Sequence, residues 1–250
     1  KNPVLLQRIE ALGFSRPTSV QAAAFGDIAS GWGNVTVGAE TGSGKTLAYL
    51  APLIDDILQR KAAAEKSDDP GYDYARAVIL VPNEELVQQV VRMAMPLSGG
   101  KQSLVYGGKS LSDPSLVSKG GNDEVTVPER ELIRIAILPG GLNDPLDFPP
   151  FRNSVGLGGK DPPVDLVIST PATIGPLGLK PKHIDMFADI QTLVIDEADM
   201  LLDGGYLRQL ENVLMGFRRA DRLQVDASLG AKKTQHVFVA ATLPDMGLRS

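Results

Sequence analysis

The run GAETGSGKT, residues 38–46, joins small flexible residues to a lysine and a hydroxyl in one tight stretch. It fits the phosphate-loop pattern except at its first position, where Ala39 stands for glycine. Gly42 and Gly44 let the backbone turn so that several N–H groups face one centre. Ala39, Glu40, Thr41, Gly42, Ser43 and Gly44 then form an anion cradle. Lys45 would reach the β- and γ-phosphates, and the Thr46 hydroxyl would sit on Mg²⁺. Such a loop needs a carboxylate to hold the water shell of the metal. TLVIDEADMLL, residues 192–202, supplies it, because Asp196 ends a hydrophobic run. Glu197 comes next and would position or deprotonate an attacking water. Asp199 is placed to hydrogen-bond the strand end at AAT, residues 240–242. The chemistry implied is attack of water on a nucleoside triphosphate, with Lys45, Asp196 and Glu197 as catalytic groups and Thr46 and Asp196 on the metal.

These residues act together only if folded elements converge them. NVTVG (34–38) reads as a short buried strand ahead of the loop, and 45–60 as a helix behind it. The N-terminus of that helix adds partial positive charge to the anion site. A chance glycine turn would have neither flank. Further β-rich runs are RAVILVP (76–82), IRIAIL (133–138), VDLVIST (164–170), TLVIDEAD (192–199) and HVFVAAT (236–242). Most are nearly continuous in apolar residues, as in strands covered on both faces. Helical patterns lie at 84–95, at 206–217 and, weakly, at 183–187. This alternation predicts an α/β fold with a parallel sheet and right-handed crossovers. Ligands in such sheets gather at the carboxyl ends of the strands. The phosphate loop, STP (169–171), DEAD and AAT all fall there. A buried strand would aim Asp196 at the loop, whereas a solvated helix start, the alternative reading of these acids, would not.

With 250 residues, 43% of them apolar, the chain suits one large α/β domain or two small ones. No apolar run approaches the roughly 18 residues needed to span a bilayer, so no membrane partner is expected. No signal or transit pattern is visible at Lys1. The lack of cysteine excludes disulfides and thiolate metal sites. A net charge of −5 argues against binding nucleic acid through bulk electrostatics and leaves a local groove as the route. His183 and His236 are far apart in sequence and read as structural. Residues 98–178 hold 13 of the 26 glycines and 10 of the 18 prolines, so apart from two strands this stretch reads as loops. Residues 99–131 exceed an ordinary connection and read as an insertion, 142–163 as a second long loop. The acidic run KSDDPGYD (66–73) reads as a solvated loop.

DEAD after a hydrophobic strand, with AETGSGKT upstream, resembles the first RecA-like domain of the DEAD-box RNA helicases. Other motifs agree in order. GFSRPTSVQ (13–21) resembles the Q motif of that family, which reads adenine. The resemblance implies that Gln21 hydrogen-bonds the adenine edge while Phe14 and the backbone near Arg16 shape its pocket. VPNEELVQQ (81–89) stands where the family has P-T-R-E-L-A, and STPAT (169–173) where it has T-P-G-R. AAT stands for S-A-T, which couples hydrolysis to strand separation. The glycine doublet falls at Gly140–Gly141, with Gly107–Gly108 the weaker choice. Over residues 4–245 the resemblance implies one RecA-like P-loop NTPase domain spanning 1–250. Its cofactors would be ATP and Mg²⁺. Its partners would be a second RecA-like domain outside this chain and RNA held by its backbone without sequence preference. Pro82, Asn83, Gly141, Thr170, Pro171, Asp199, Ala240 and Thr242 are the RNA-binding or coupling positions that follow.

Departures from the family pattern set further expectations. Glu84 and Thr173 occupy positions where the family carries arginines near RNA phosphates, which would weaken affinity and flatten its salt dependence. Ala240 replaces the serine that pairs with the last aspartate, leaving Asp199 one partner short. The non-standard motifs PNEELVQQVVRM, STPAT, DEADMLL and AATLP look most like a plant chloroplast branch associated with plastid ribosome assembly. Ribosomal RNA or assembly proteins would then be partners, and a plastid or other organelle the compartment, with cytoplasm or nucleus as alternatives. By itself the chain is expected to bind adenine nucleotide weakly, hydrolyse slowly and not unwind. An RNA-binding clamp without unwinding activity is the alternative function. A small-molecule kinase is the other, with Arg218 and Arg219 the only basic pair for it.

Overall fold

The computed structural model describes residues 1–64, 77–106, 127–138, 164–181, 187–188, 190–203, 205–227 and 234–242. Helices α1 (Pro3–Ala11) and α2 (Ser19–Ser30) precede strand β1 (Val35–Gly38) and helix α3 (Lys45–Ala64). Then come β2 (Ala77–Leu80), α4 (Glu84–Ser98), β3 (Leu104–Tyr106), β4 (Ile135–Ile137), β5 (Leu166–Ser169) and α5 (Pro171–Gly178). The chain continues through β6 (Thr192–Ile195), α6 (Ala198–Asp203), α7 (Leu207–Ala227) and β7 (Gln235–Ala240). Among the described residues no helix is long and apolar enough to cross a membrane.

The seven strands form one sheet, all neighbours parallel, in the order β1-β7-β6-β2-β5-β4-β3. The chain runs outward from β1 through β2 to β3, then returns through β4, β5 and β6 to β7. Right-handed crossovers therefore put the outward helices on one face and the returning helices on the other. Residues of α2, α3 and α4 build one core with Ala77 and Ile79 of β2. Residues of α5, α6 and α7 build the second core with Val78 and Leu80 of the same strand. The period-two pleat is what allows one apolar strand to serve both.

All six strands expected from the sequence are present. The helices expected at 45–60, 84–95 and 206–217 run on to Ala64, Ser98 and Ala227. The loop reading of 98–178 is corrected at three places. A 3₁₀ turn (Gly100–Ser103) leads into β3, which pairs with β4 as the far edge of the sheet, and a second 3₁₀ turn spans Glu129–Glu131. β3 is three residues long and lacks the longer apolar run that marks β4, which leaves too little pattern to recognise. Helix α5 was hidden by Gly175, Pro176 and Gly178, which break helix propensity. The glycines are there because α7 runs too close for a side chain: a Cβ on Gly175 would lie 2.9 Å from the Gln209 carbonyl oxygen. Residues 107–126 of the expected insertion, the loop at 142–163, the run at 66–73, both glycine doublets and His183 lie outside the described residues, as does most of the helix expected at 183–187.

Candidate nucleotide site

The site is built first by the backbone of the phosphate loop. Gly42 and Gly44 adopt φ of +80° and +90°, a region closed to most side chains. Thr18 caps α2, and two residues of this cap grip the loop. The Thr18 hydroxyl donates to the Ser43 carbonyl (3.0 Å) and Gln21 Nε2 donates to the Gly44 carbonyl (3.2 Å). A Cβ on Gly44 would overlap that Gln21 nitrogen, so a side chain there would displace the Gln21 grip on the loop as well as strain the backbone. Because each peptide is planar and trans, pinning these carbonyls toward α2 turns the N–H groups of Gly44 and Lys45 the opposite way. The Lys45 ammonium folds over the loop, donating to the carbonyls of Ala39 (2.6 Å) and Glu40 (3.0 Å). The Ser43 hydroxyl oxygen is buried without a partner.

Gln21 also accepts the Thr18 amide at Oε1 (3.0 Å), completing a capping box. A carboxamide has two N–H donors and two lone pairs, so one of each stays open. An apolar cavity of about 250 Å³ adjoins it, with Phe14, Arg16, Pro17, Gln21 and Phe25 in its wall. Thr18 was not among the residues singled out from the sequence, although a Thr three residues before a Gln is a capping signal.

The acidic strand end lies at β6, two strands from β1. Asp196 is 6% exposed and its amide bonds the Leu80 carbonyl of β2. The Tyr49 phenol of α3 donates to Asp196 Oδ2 at 2.8 Å, and the Glu197 amide donates to Oδ1 at 3.0 Å. Glu197 takes φ +51°, a left-handed turn just beyond the end of β6. Burial pushes the Asp196 carboxyl up, and the Tyr49 and Glu197 hydrogen bonds and the Lys45 charge pull against it. Burial also raises the Glu197 carboxyl, aided by the Asp196 charge and opposed by Lys45. Lys45 thus acts on both carboxylates, and the Tyr49–Asp196 bond joins the helix that follows the loop to the acidic run. Tyr49 is driven well above its ordinary value by burial and then by Asp196. Sequence reasoning did not single it out; its position, one turn beyond Lys45 on the same helix face, was the available signal.

Asp199 Oδ2 accepts the Thr242 hydroxyl (2.8 Å) and the Thr242 amide (3.0 Å), while Oδ1 accepts the Met200 amide (3.0 Å). Slight burial raises this carboxyl, but those hydrogen bonds outweigh it and hold the group below the usual range. The aspartate is therefore well partnered despite Ala240, whose buried backbone carbonyl accepts the Ala39 amide (3.2 Å). Strand order divides the carboxyl rim: the residues expected to hold nucleotide lie at β1 and β6, the expected coupling positions Asp199, Ala240 and Thr242 at the ends of β6 and β7, and Pro82, Asn83, Thr170 and Pro171 at β2 and β5. Pro82 is buried, and Asn83 caps α4 by accepting the Leu86 amide (3.0 Å). Glu84 is exposed in the first turn. Pro171 is buried at the start of α5, and the Thr170 and Thr173 hydroxyls bond each other at 3.2 Å. Arg219 bonds the Gly178 and Leu179 carbonyls (3.1 and 3.2 Å) at the end of α5, which removes the basic pair a kinase would need.

The profile of the DEAD/DEAH box helicase family matches residues 18–134 and 152–249. The chain belongs to the DEAD/DEAH box helicase family. It is 32% identical over 218 residues to ATP-dependent RNA helicase DBP9 of Coccidioides immitis, covering 87% of this chain and 28% of that protein. It is 30% identical over 217 residues to ATP-dependent rRNA helicase SPB4 of the same fungus, covering 84% of this chain and 30% of that protein. It is 29% identical over 244 residues to DEAD-box ATP-dependent RNA helicase 22 of Arabidopsis thaliana, covering 95% of this chain and 34% of that protein. The chain thus spans about a third of the length of these relatives. Among solved structures, a hypothetical ATP-dependent RNA helicase from Sulfolobus tokodaii shares the fold with a TM-score of 0.57 at 22% identity, covering 98% of this chain and 52% of that one. Yeast dbp5, in a complex with nup159, gle1, IP6 and ADP, does so with a TM-score of 0.58 at 20% identity, covering 98% and 47%.

For this DEAD/DEAH box domain the side chains fit magnesium triphosphate. Among the described residues no cluster of three metal-ligating side chains occurs. Magnesium in triphosphate sites is held by phosphate oxygens, waters and one or two side chains rather than by a protein cage. A loop with a buried orphan hydroxyl, an ammonium and a nearby carboxylate meets that description.

Proposed function

We propose that the chain is the ATP-binding first RecA-like domain of an RNA helicase that couples ATP binding and hydrolysis to RNA remodelling. The carrying observation is that α3, which follows the phosphate loop, reaches the end of β6 through the Tyr49–Asp196 bond, and that the Lys45 charge acts on both the Asp196 and Glu197 carboxyls with β7 between the two strands. Lys45 would exchange the Ala39 and Glu40 carbonyls for phosphate oxygens. Gln21 would use its open N–H and lone pair on the N7 and N6 edge of adenine, a pairing its amide geometry suits. Thr46 and Asp196 would hold magnesium and its water shell, and the metal when bound neutralises phosphate charge. Glu197 would hold and orient the attacking water. The Asp199–Thr242 bonds tie the acidic turn to the end of β7, where nucleotide state would be passed to RNA. A second RecA-like domain would close the cleft and add cationic groups to it. Calorimetry tests the reading: ATP with Mg²⁺ should bind more tightly than GTP, and Lys45→Ala should abolish uptake. Equal binding of the two nucleotides, or unchanged binding by the variant, refutes it.

Ribosomal RNA is the substrate this reading favours, since one relative is named an rRNA helicase, and organellar ribosome assembly is the setting suggested by the non-standard motifs. A second reading, a clamp that grips RNA without separating strands, is favoured by Glu84 and Thr173. Both occupy helix-start positions on the RNA side of the rim without a cation. Glu84→Arg in the two-domain protein should raise RNA affinity and steepen its salt dependence by about one unit of slope. RNA-stimulated strand separation by the unmodified protein would exclude the clamp.

A further inference from the structure

We propose that the Tyr49 hydroxyl is a positioning group that fixes the Asp196 carboxylate beside Thr46 for magnesium-dependent nucleotide binding. The inference rests on the reading of Asp196 as the carboxylate of the metal's water shell. Tyr49 is fully buried and Asp196 nearly so, and the two meet at 2.8 Å across 147 residues of sequence. A phenylalanine would fill the same volume. A hydroxyl brought into a buried site costs free energy unless it is partnered, and here the partner is Asp196. With Tyr49 on Oδ2 and the Glu197 amide on Oδ1, both oxygens are held, and each keeps a lone pair for water. Thr46 lies three residues before Tyr49 on α3, on the same face of that helix. The ring is enclosed, and its oxygen cannot swing as a short polar side chain would.

The test is Tyr49→Phe in the 250-residue chain, titrated with a non-hydrolysable ATP analogue at varied Mg²⁺ and again in EDTA. The magnesium concentration for half-maximal binding should rise about tenfold, the scale of losing a group that orients a metal ligand. Metal-free affinity should stay within about twofold, since a purely structural defect would lower both together. Asp196→Asn run alongside should lose the magnesium enhancement, and the double variant should be no worse than Asp196→Asn alone. If Asp196→Asn keeps the enhancement, the carboxylate reading fails and Tyr49 falls with it. If Asp196→Asn loses it while Tyr49→Phe keeps it, only the tyrosine proposal is overturned. Should Tyr49→Phe not fold, fluorotyrosine placed at position 49 serves instead. Its ¹⁹F resonance should shift when Mg²⁺ is added to the nucleotide complex, and an unmoved resonance overturns the proposal.

Discussion

Gln21→Glu separates what the Gln21 side chain does for the fold from what it does for the nucleotide. The substitution keeps the shape and keeps an oxygen on the Thr18 amide, so the α2 cap survives. It replaces the donor on the Gly44 carbonyl, now at 3.2 Å, with a carboxylate oxygen facing another oxygen. It also removes the N–H that would meet adenine N7. The adenine hydrogen bond, made only on binding, contributes about 1 kcal/mol, so affinity for ATP should fall by at least about 1 kcal/mol, roughly fivefold, with the lost loop grip adding to this only as the free loop becomes less ordered. GTP binding should fall less, because the guanine N7–O6 edge presents only acceptors and never matched the glutamine. Competition with a fluorescent ADP reads both nucleotides, and a melting curve checks the cap. ATP binding within twofold of the parent chain would refute the reasoning: neither the loop grip nor adenine recognition could then depend on the Gln21 nitrogen.

Three further outcomes follow from the packing. Lys61 and Asp165 form a buried pair at 2.6 Å, and Lys61 also donates to the Leu132 carbonyl at 2.7 Å; Asp165→Leu should cost about 3–5 kcal/mol and lower Tm by roughly 6–20 °C in calorimetry, with Lys61→Met/Asp165→Leu recovering much of it. Gly178→Ala would drive a Cβ into the Asn212 carbonyl of α7, so denaturant titration should show about 1–3 kcal/mol lost as α5 and α7 part. His236 lies between Phe217 and Phe238, and burial lowers its pKa from 6.5, with the Asp221 charge opposing and Arg218 assisting. Below pH 6.5 the unfolded chain binds a proton the folded chain refuses, so stability should decline as pH falls from there toward the lowered value. His236→Gln should flatten that decline in urea titrations.

The amino-acid sequence by itself determined the parts whose chemistry is local along the chain. A phosphate cradle is made by consecutive backbone groups, so Gly42, Gly44, Lys45 and Thr46 announce it without any fold. Asp196 is legible because a run of apolar strand residues ends on it. Strands buried on both faces are continuous apolar runs, which is why all but the three-residue β3 could be read. The pairing of Asp199 with AAT was also readable, since both lie at strand ends that a parallel sheet must align. Only the tertiary structure decided what depends on distant segments meeting. It chose the strand order that seats β7 between β1 and β6 and moves Pro82 and Thr170 to the other part of the rim. It packed α5 against α7 so closely that glycine replaced the residues by which a helix is recognised. It also brought the Tyr49 hydroxyl onto Asp196 and bent the Thr18 cap onto the phosphate loop. No periodicity records such contacts, because their energy comes from burial and hydrogen bonding between residues far apart in the chain.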